Sequence, residues 1–99
     1  MRILDLQEAS YHRNHPVILW IEKYLRECSP SDLGVAYRLL SEKQCRDVED
    51  LITRRYGDPV FKGKRITEWN YDKDQKTMIH IILYYGALEI HLQCMKIGV

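Results

Sequence analysis

The sequence predicts a single α+β domain, a two-layer fold in which three N-terminal helices pack on a three-stranded antiparallel β-meander. Ninety-nine residues suffice for one compact core. The first half of the chain has the apolar spacing of helices, and the last third alternates as strands do. We therefore expect an N-terminal arm at 1–13, a helical part at 16–56 and the sheet at 66–97, all within one domain.

The first and third predicted helices have clear boundaries. Pro16 is pre-organised for the first helical position, and His15 before it is expected to serve as the entry residue. The pattern Ser41-x-x-Gln44 is a capping box that predicts the start of the third helix. Gly57 is expected to end that helix, since glycine tolerates the left-handed backbone that follows many helices.

A second helix is predicted between these two. Ser29 and Asp32 form another capping-box pattern, with Pro30 at the expected first position. Helical spacing then gives this segment an apolar stripe of Leu33, Ala36, Tyr37 and Leu40.

The last quarter of the chain predicts the hairpin that the other elements cover. Two apolar runs meet at Gly86-Ala87, which suits a two-residue turn with a positive φ at the glycine. This register gives one apolar face made of the pairs Tyr85 and Leu88, Leu83 and Ile90, Ile81 and Leu92, and Ile79 and Cys94.

The remaining strand is predicted from Ile66 to Tyr71. An odd number of loop residues places Trp69 on the core face opposite Ile79, whereas an even number would bury Glu68. The odd loop is therefore expected, and it sets Glu68 across from His80.

Composition and motifs favour a non-catalytic cytoplasmic protein without a cofactor. The net charge of +1 argues neither for nor against a highly charged partner, and no run is long and apolar enough to cross a membrane. The N-terminus has acids where a signal peptide needs an apolar core. The three cysteines are expected to be reduced and buried, and the chain contains no phosphate-binding glycine loop or nucleophile elbow.

The sheet face opposite the helices is too apolar for ordinary solvent exposure. Such a patch usually binds a partner protein, associates with a second copy of the chain in a homodimer, or is covered by another segment, here the N-terminal arm. We predict a protein-binding adaptor or stoichiometric inhibitor of a larger protein. Its contact set is Ile66, Met78, Ile82, Tyr84, His91 and Met95, with His80 and Glu68 at the rim.

Two other functions remain open from the sequence. The basic connector at 54–65 has five cations beside Tyr56 and Phe61, a composition that suits phosphates and stacked bases. The predicted nucleic-acid contacts are Arg54, Arg55, Lys62, Lys64 and Arg65. A metal-dependent enzyme is the third hypothesis, with Glu68, His80 and His91 as ligands.

Residues 47–96 also resemble a known family. The run D-V-E-D-L-I-T-R-R-Y-G-D-P, followed by I-T-E-W-N-Y and a hairpin, is similar to the small SmpA/OmlA-type domain of outer-membrane assembly lipoproteins. The matching positions are Val48, Leu51, Gly57, Pro59, Trp69 and Tyr71. The resemblance implies two helices on a three-stranded antiparallel sheet and an interaction module without catalytic residues. This chain departs from that family by its extra preceding helices and by having no lipobox.

Overall fold

Two helices cover one face of a five-stranded antiparallel sheet in the computed structural model, which describes residues 15–97. The predicted arm at 1–13 lies outside the described residues. The elements in chain order are α1 (Pro16–Glu27), β1 (Val35–Arg38), α2 (Glu42–Tyr56), β2 (Phe61–Lys62), β3 (Ile66–Asp72), β4 (Thr77–Tyr84) and β5 (Glu89–Lys96). The strand order across the sheet is β1-β5-β4-β3-β2. The prediction of three helices on a three-stranded meander is therefore wrong, although the class is still α+β.

Local signals set the ends of both helices as predicted. The His15 side chain accepts a hydrogen bond from the Val17 amide at 3.2 Å, which caps α1. At the start of α2, Ser41 Oγ accepts from the Gln44 amide at 3.1 Å. The Gln44 side chain reaches back one residue further than in a standard capping box and accepts from the amide of residue 40 at 2.6 Å. Gly57 ends α2 with φ 106°.

The predicted second helix is a strand instead, so the helical part at 16–56 contains β1. The capping-box contact does form, because the Asp32 carboxylate accepts from the Ser29 amide at 2.7 Å. Gly34, at φ 94°, then turns the chain away from the helical path. Leu33 and Leu40, at the two ends of the expected apolar stripe, are 99% and 85% exposed. Residues 35–38 pair with β5, and the side chains alternate between the two sheet faces.

The register of β3 against β4 has the predicted parity but is shifted by two residues. Trp69 lies opposite Ile81 rather than Ile79. Five residues separate the paired Asp72 and Met78, so the loop is odd, as expected. Because a two-residue shift preserves the faces, Trp69 is still buried, but Glu68 lies across from residue 82 instead of His80. Part of the basic connector forms the short strand β2, which the sequence did not predict.

The β4–β5 hairpin has the predicted register and a different turn. Ile79 pairs with Cys94, and the next two core pairs follow as expected. The turn spans four residues, and its positive φ lies at Leu88, 56°, rather than at Gly86. The Leu88 carbonyl accepts from the Leu39 amide at 2.6 Å, which ties the hairpin to the end of β1.

The hydrophobic core fills the space between the helices and the inner sheet face. Its members from α1 and α2 pack against the inward side chains of β3, β4 and β5, all in one cluster. The largest fully buried side chain is Trp69, whose indole N–H donates to Thr53 Oγ1 on α2 at 3.2 Å. Both helices therefore pack on the inner face of the sheet.

Candidate protein-binding face

The opposite side of the sheet, called the outer face here, carries no helix within residues 15–97. Strand alternation places on it Ala36, Arg38, Phe61, Ile66, Glu68, Asn70, Met78, His80, Ile82, Tyr84, Glu89, His91, Gln93 and Met95. The side-chain hydrogen bonds and ring contacts that join α1 and α2 to the sheet involve inner-face residues such as Thr67, Trp69 and Tyr37. Among residues 15–97, the helices therefore leave the outer face uncovered.

The six residues predicted as the contact set lie together on this face. They form three directly opposed pairs, Ile66 with Tyr84, Ile82 with His91, and Met78 with Met95. Directly opposed side chains on a sheet are within contact distance of each other. The structure thus places all six residues of the predicted patch on one face, while their binding role stays a prediction. A row made of Asn70, His80 and Gln93 lies between the Met78–Met95 pair and the other two pairs.

A shallow pocket of about 300 Å³ lies within the outer face, between β1 and β4. Its lining includes Ile82, His80 and His91 of the predicted patch and rim. Leu33 and Ala36 at the edge of the sheet also line it. The sequence analysis missed these last two as site residues because it assigned them to a helix. The signal that was available is the glycine at position 34, which interrupts the helical stripe.

Phe61 was also missed as part of this face. It lies on β2 opposite Glu68, is half exposed, and extends the apolar surface past β3. The sequence analysis placed it in the basic connector as a base-stacking residue.

The polar groups of the outer face are paired locally rather than gathered at one point. His80 Nε2 lies 3.2 Å from Glu68 Oε1, and His91 Nε2 lies 3.2 Å from Glu89 Oε1. The Tyr84 ring packs edge to face on the imidazole of His91, with 4.7 Å between the ring centroids. Such partly exposed pairs contribute little stability, so a partner can exchange them at low cost.

The hypothesis of a metal site gains no support from this geometry. Glu68 and His80 are in contact, but diagonally rather than directly across from each other as predicted, and His91 associates with a different carboxylate. In the described part of the chain, no group of three His, Cys, Asp or Glu residues is disposed to hold a metal ion.

The cations of the basic connector are largely engaged with carboxylates. Arg54 pairs with Asp50 at 3.0 Å, Arg55 with Glu22 at 2.8 Å, and Lys62 with Glu49 at 3.1 Å. Lys64 and Arg65 are exposed in the turn between β2 and β3.

Tyr56 also makes contacts within the fold, so its ring is not exposed for stacking on a nucleic-acid base. Its hydroxyl donates to Glu22 at 3.0 Å, and its ring packs on Tyr71 at 5.2 Å. Burial and the Glu22 carboxylate raise the pKa of Tyr56 well above its usual value. Tyr56 is therefore not available to stack on a base, whereas the cations of the connector remain at the surface.

Comparison with models of protein families, with curated proteins and with solved structures finds no match. The resemblance to SmpA/OmlA-type domains therefore stays a prediction. Neither α1 nor α2 has the length and apolar character required to cross a membrane.

Proposed function

We propose that this protein is a small, non-catalytic cytoplasmic binding module that acts as an adaptor or stoichiometric inhibitor of a larger protein. Its docking surface is the outer face. The observation that carries the proposal is a pocket of about 300 Å³, lined in part by Ile82, Tyr84 and Leu33, on a broad sheet surface that neither described helix covers.

The composition of the face supports a protein partner. Its apolar members include Ile, Met and Tyr side chains, which protein interfaces favour. Its charged groups form local pairs, one at the β1 edge and one, Glu68 with His80, near the middle of the sheet. Arg38 and Glu89 lie 3.6 Å apart at the β1 edge. A partner with an apolar anchor and a polar rim of its own matches this pattern.

The area of the outer face is smaller than a typical specific interface. Strands β3, β4 and β5 are seven or eight residues long, and the shorter β1 and β2 flank them. With strands about 4.8 Å apart, the planar area of the sheet is on the order of 500 Å². A specific interface typically buries about 800 Å² on each partner. The partner therefore reaches past the strands, onto Leu33 at one edge or Phe61 at the other.

The test is the variant Ile82→Lys, which places a charge at the centre of the patch. The tagged protein is used to capture its partner from host lysate, and the affinity of the purified pair is then measured by calorimetry. We expect one-to-one binding that weakens at least about 30-fold in the variant, the effect of losing a central contact worth about 2 kcal/mol.

The matched control is Leu19→Lys on α1, where the leucine is half exposed and lies away from the sheet. This variant is expected to bind normally. Circular dichroism and the unfolding midpoint verify that both variants are folded. Undiminished binding by a folded Ile82→Lys variant would refute the proposal.

A further inference from the structure

The strand β1 forms one edge of the sheet, and its backbone is open on the side away from β5. The Leu39 amide donates to the Leu88 carbonyl at 2.6 Å, so the N–H of residue 39 points toward the hairpin. In an antiparallel ladder, every second residue directs both its N–H and its C=O to the same neighbouring strand. Tyr37 therefore bonds toward β5, whereas the backbone groups of Ala36 and Arg38 point away from it. In the described part of the chain, no strand pairs with these outward groups.

This edge lacks the features that prevent many edge strands from pairing. Proteins protect such edges with proline, with lysine, with a bulge or with a covering segment. The β1 strand contains neither proline nor lysine, and its one charged side chain, Arg38, pairs with Glu89 on β5 at 3.6 Å. Val35 on the strand and Leu40 just after it are exposed apolar side chains. Such side chains beside free backbone donors and acceptors favour pairing with another strand.

The opposite edge of the sheet is better protected. The strand β2 has only two residues, Phe61 and Lys62. Lys64 and Arg65 follow it in an exposed turn. Cations on a short strand disfavour pairing with a second copy of the same edge. Of the two edges, β1 is therefore the one suited to pair with itself.

We propose that the protein forms a homodimer in which β1 pairs antiparallel with β1 of a second copy, with Ala36 on the twofold axis. The two five-stranded sheets then become one continuous sheet of ten strands. The assembly is closed, because each copy uses the same strand and no β1 edge is left open. This inference does not rest on the proposed binding function.

The alternation of side chains along β1 limits the register. Directly opposed residues of an antiparallel pair lie on the same sheet face, so the axis passes through one residue and its copy. An axis at Val35 or Arg38, the two ends of the strand, would oppose only one strand residue of each copy. An axis at Tyr37 would press together two rings that each already pack on Trp20, at 5.2 Å between centroids. Ala36 has a small side chain and outward backbone groups, so on the axis it exchanges two hydrogen bonds with its copy.

This dimer joins two outer faces into one surface. The twofold axis of a strand pair within one sheet is perpendicular to the sheet, so both outer faces point in the same direction. Two faces on the order of 500 Å² each give a planar area on the order of 1,000 Å², which exceeds the roughly 800 Å² of a typical specific interface. The pocket residue Ala36 lies at the centre of the joined surface. A second copy thus supplies the area that a single outer face lacks.

Sedimentation velocity of the purified full-length protein measures this assembly without any other partner. Between about 10 μM and about 1 mM we expect a monomer–dimer equilibrium with a Kd on the order of 10 μM, since two short strands give a small interface. Hydrogen exchange followed by NMR locates the contact. The amide of Ala36 should exchange several-fold more slowly at the higher concentration, while that of Tyr37, which bonds to β5 in monomer and dimer alike, should change little.

Three variants test the strand directly. Ala36→Pro removes an N–H that β5 does not use, so the fold should be kept while the Kd rises at least about 100-fold. Val35→Lys should also weaken the dimer, because an edge lysine opposes pairing. The matched control is Val60→Lys, a change at another exposed valine just before β2 on the opposite edge, and it should leave the dimer unchanged. Circular dichroism verifies that each variant is folded.

Four results would overturn the proposal. These are a monomer at about 1 mM, growth beyond the dimer, a dimer in which the Ala36 amide stays unprotected, and a folded Ala36→Pro variant that dimerises normally. Because sedimentation and exchange of the wild type are decisive alone, a variant that fails to fold does not protect the proposal from refutation. Binding of another protein is tested separately with Ile82→Lys, so the dimer and the proposed function can fail independently.

Discussion

Replacement of Glu49 by glutamine is expected to destabilise the fold at neutral pH and to matter less as the pH falls. Glu49 on α2 accepts hydrogen bonds from the hydroxyls of Tyr85 and Thr67 and pairs with Lys62 at 3.1 Å. It therefore ties α2 to β2, to β3 and to the hairpin turn. Burial opposes ionisation of Glu49, but the hydrogen bonds from Tyr85 and Lys62 more than offset it, so its pKa lies below the usual value.

The loss of stability expected for Glu49→Gln can be worked out from the residues that contact Glu49. A hydrogen bond to an ionised acceptor contributes about 1.5–3 kcal/mol, so the Tyr85 contact accounts for most of the loss. The Lys62 side chain is 64% exposed, and its ion pair contributes less than about 1 kcal/mol. Tyr85 keeps its contact with Thr67 in the variant, which limits the damage. We expect Glu49→Gln to cost about 2 kcal/mol, or about 10 °C in the unfolding midpoint.

The pH dependence has a definite sign. A carboxylate whose pKa is lowered in the folded state stabilises the fold above the pKa of the unfolded chain, and this contribution is lost as the pH falls through the folded-state pKa. The difference between wild type and Glu49→Gln should therefore be constant near neutrality and shrink below about pH 4.5, the ordinary value for glutamate.

Urea denaturation at several pH values, followed by tryptophan fluorescence, measures this difference. Lys62→Met is the control, with an expected loss below about 1 kcal/mol. Equal stability of Glu49→Gln and wild type at pH 7, or a gap that widens on acidification, would show that the reasoning about this network is wrong.

Two further predictions concern backbone geometry. Gly34→Ala should lower the free energy of unfolding by about 3 kcal/mol or more, because an added Cβ at this positive φ would lie 2.8 Å from the Leu92 carbonyl oxygen. Gly57→Ala has the same kind of backbone but open space around it, so its loss should be about 1 kcal/mol. Urea midpoints of the two variants test this, and equal losses would contradict it. Tyr24→Phe should cost about 1–2 kcal/mol, because it leaves the buried amide of Cys94 without its partner. Hydrogen exchange at that amide should become faster, and unchanged protection would contradict the assignment.

The elements predicted correctly are those in which local and long-range preferences agree. Both helix starts at His15 and Ser41 depend on capping contacts within a few residues, and the β4–β5 register depends on two adjacent apolar runs. The segment 33–40 fits both a helical stripe and strand alternation. Pairing with β5 decides between them, and that partner lies far away in the sequence.

The face on which each strand residue lies was predicted more accurately than the register of β3 against β4. A two-residue error leaves every side chain on its original face, so Ile66 and Tyr84 stay on the outer face despite the shift. Leu33 and Phe61 at the edges were not predicted as site residues, because their position depends on β1 and β2. Those strands are short, and nothing in their own sequence distinguishes them from a helix or a loop.

The pairing of β1 with β5 has a consequence for the order of folding. β1 precedes α2 in the chain, yet its strand partner is the last strand, so the edge of the sheet is completed only after the C-terminal hairpin exists. During synthesis, residues 35–38 cannot form their strand hydrogen bonds until residues 89–92 of β5 have been made. Closure of such a long loop is slow compared with helix or hairpin formation. Since Leu33 and Ala36 line the outer-face pocket, we expect this pocket to be among the last features of the molecule to form.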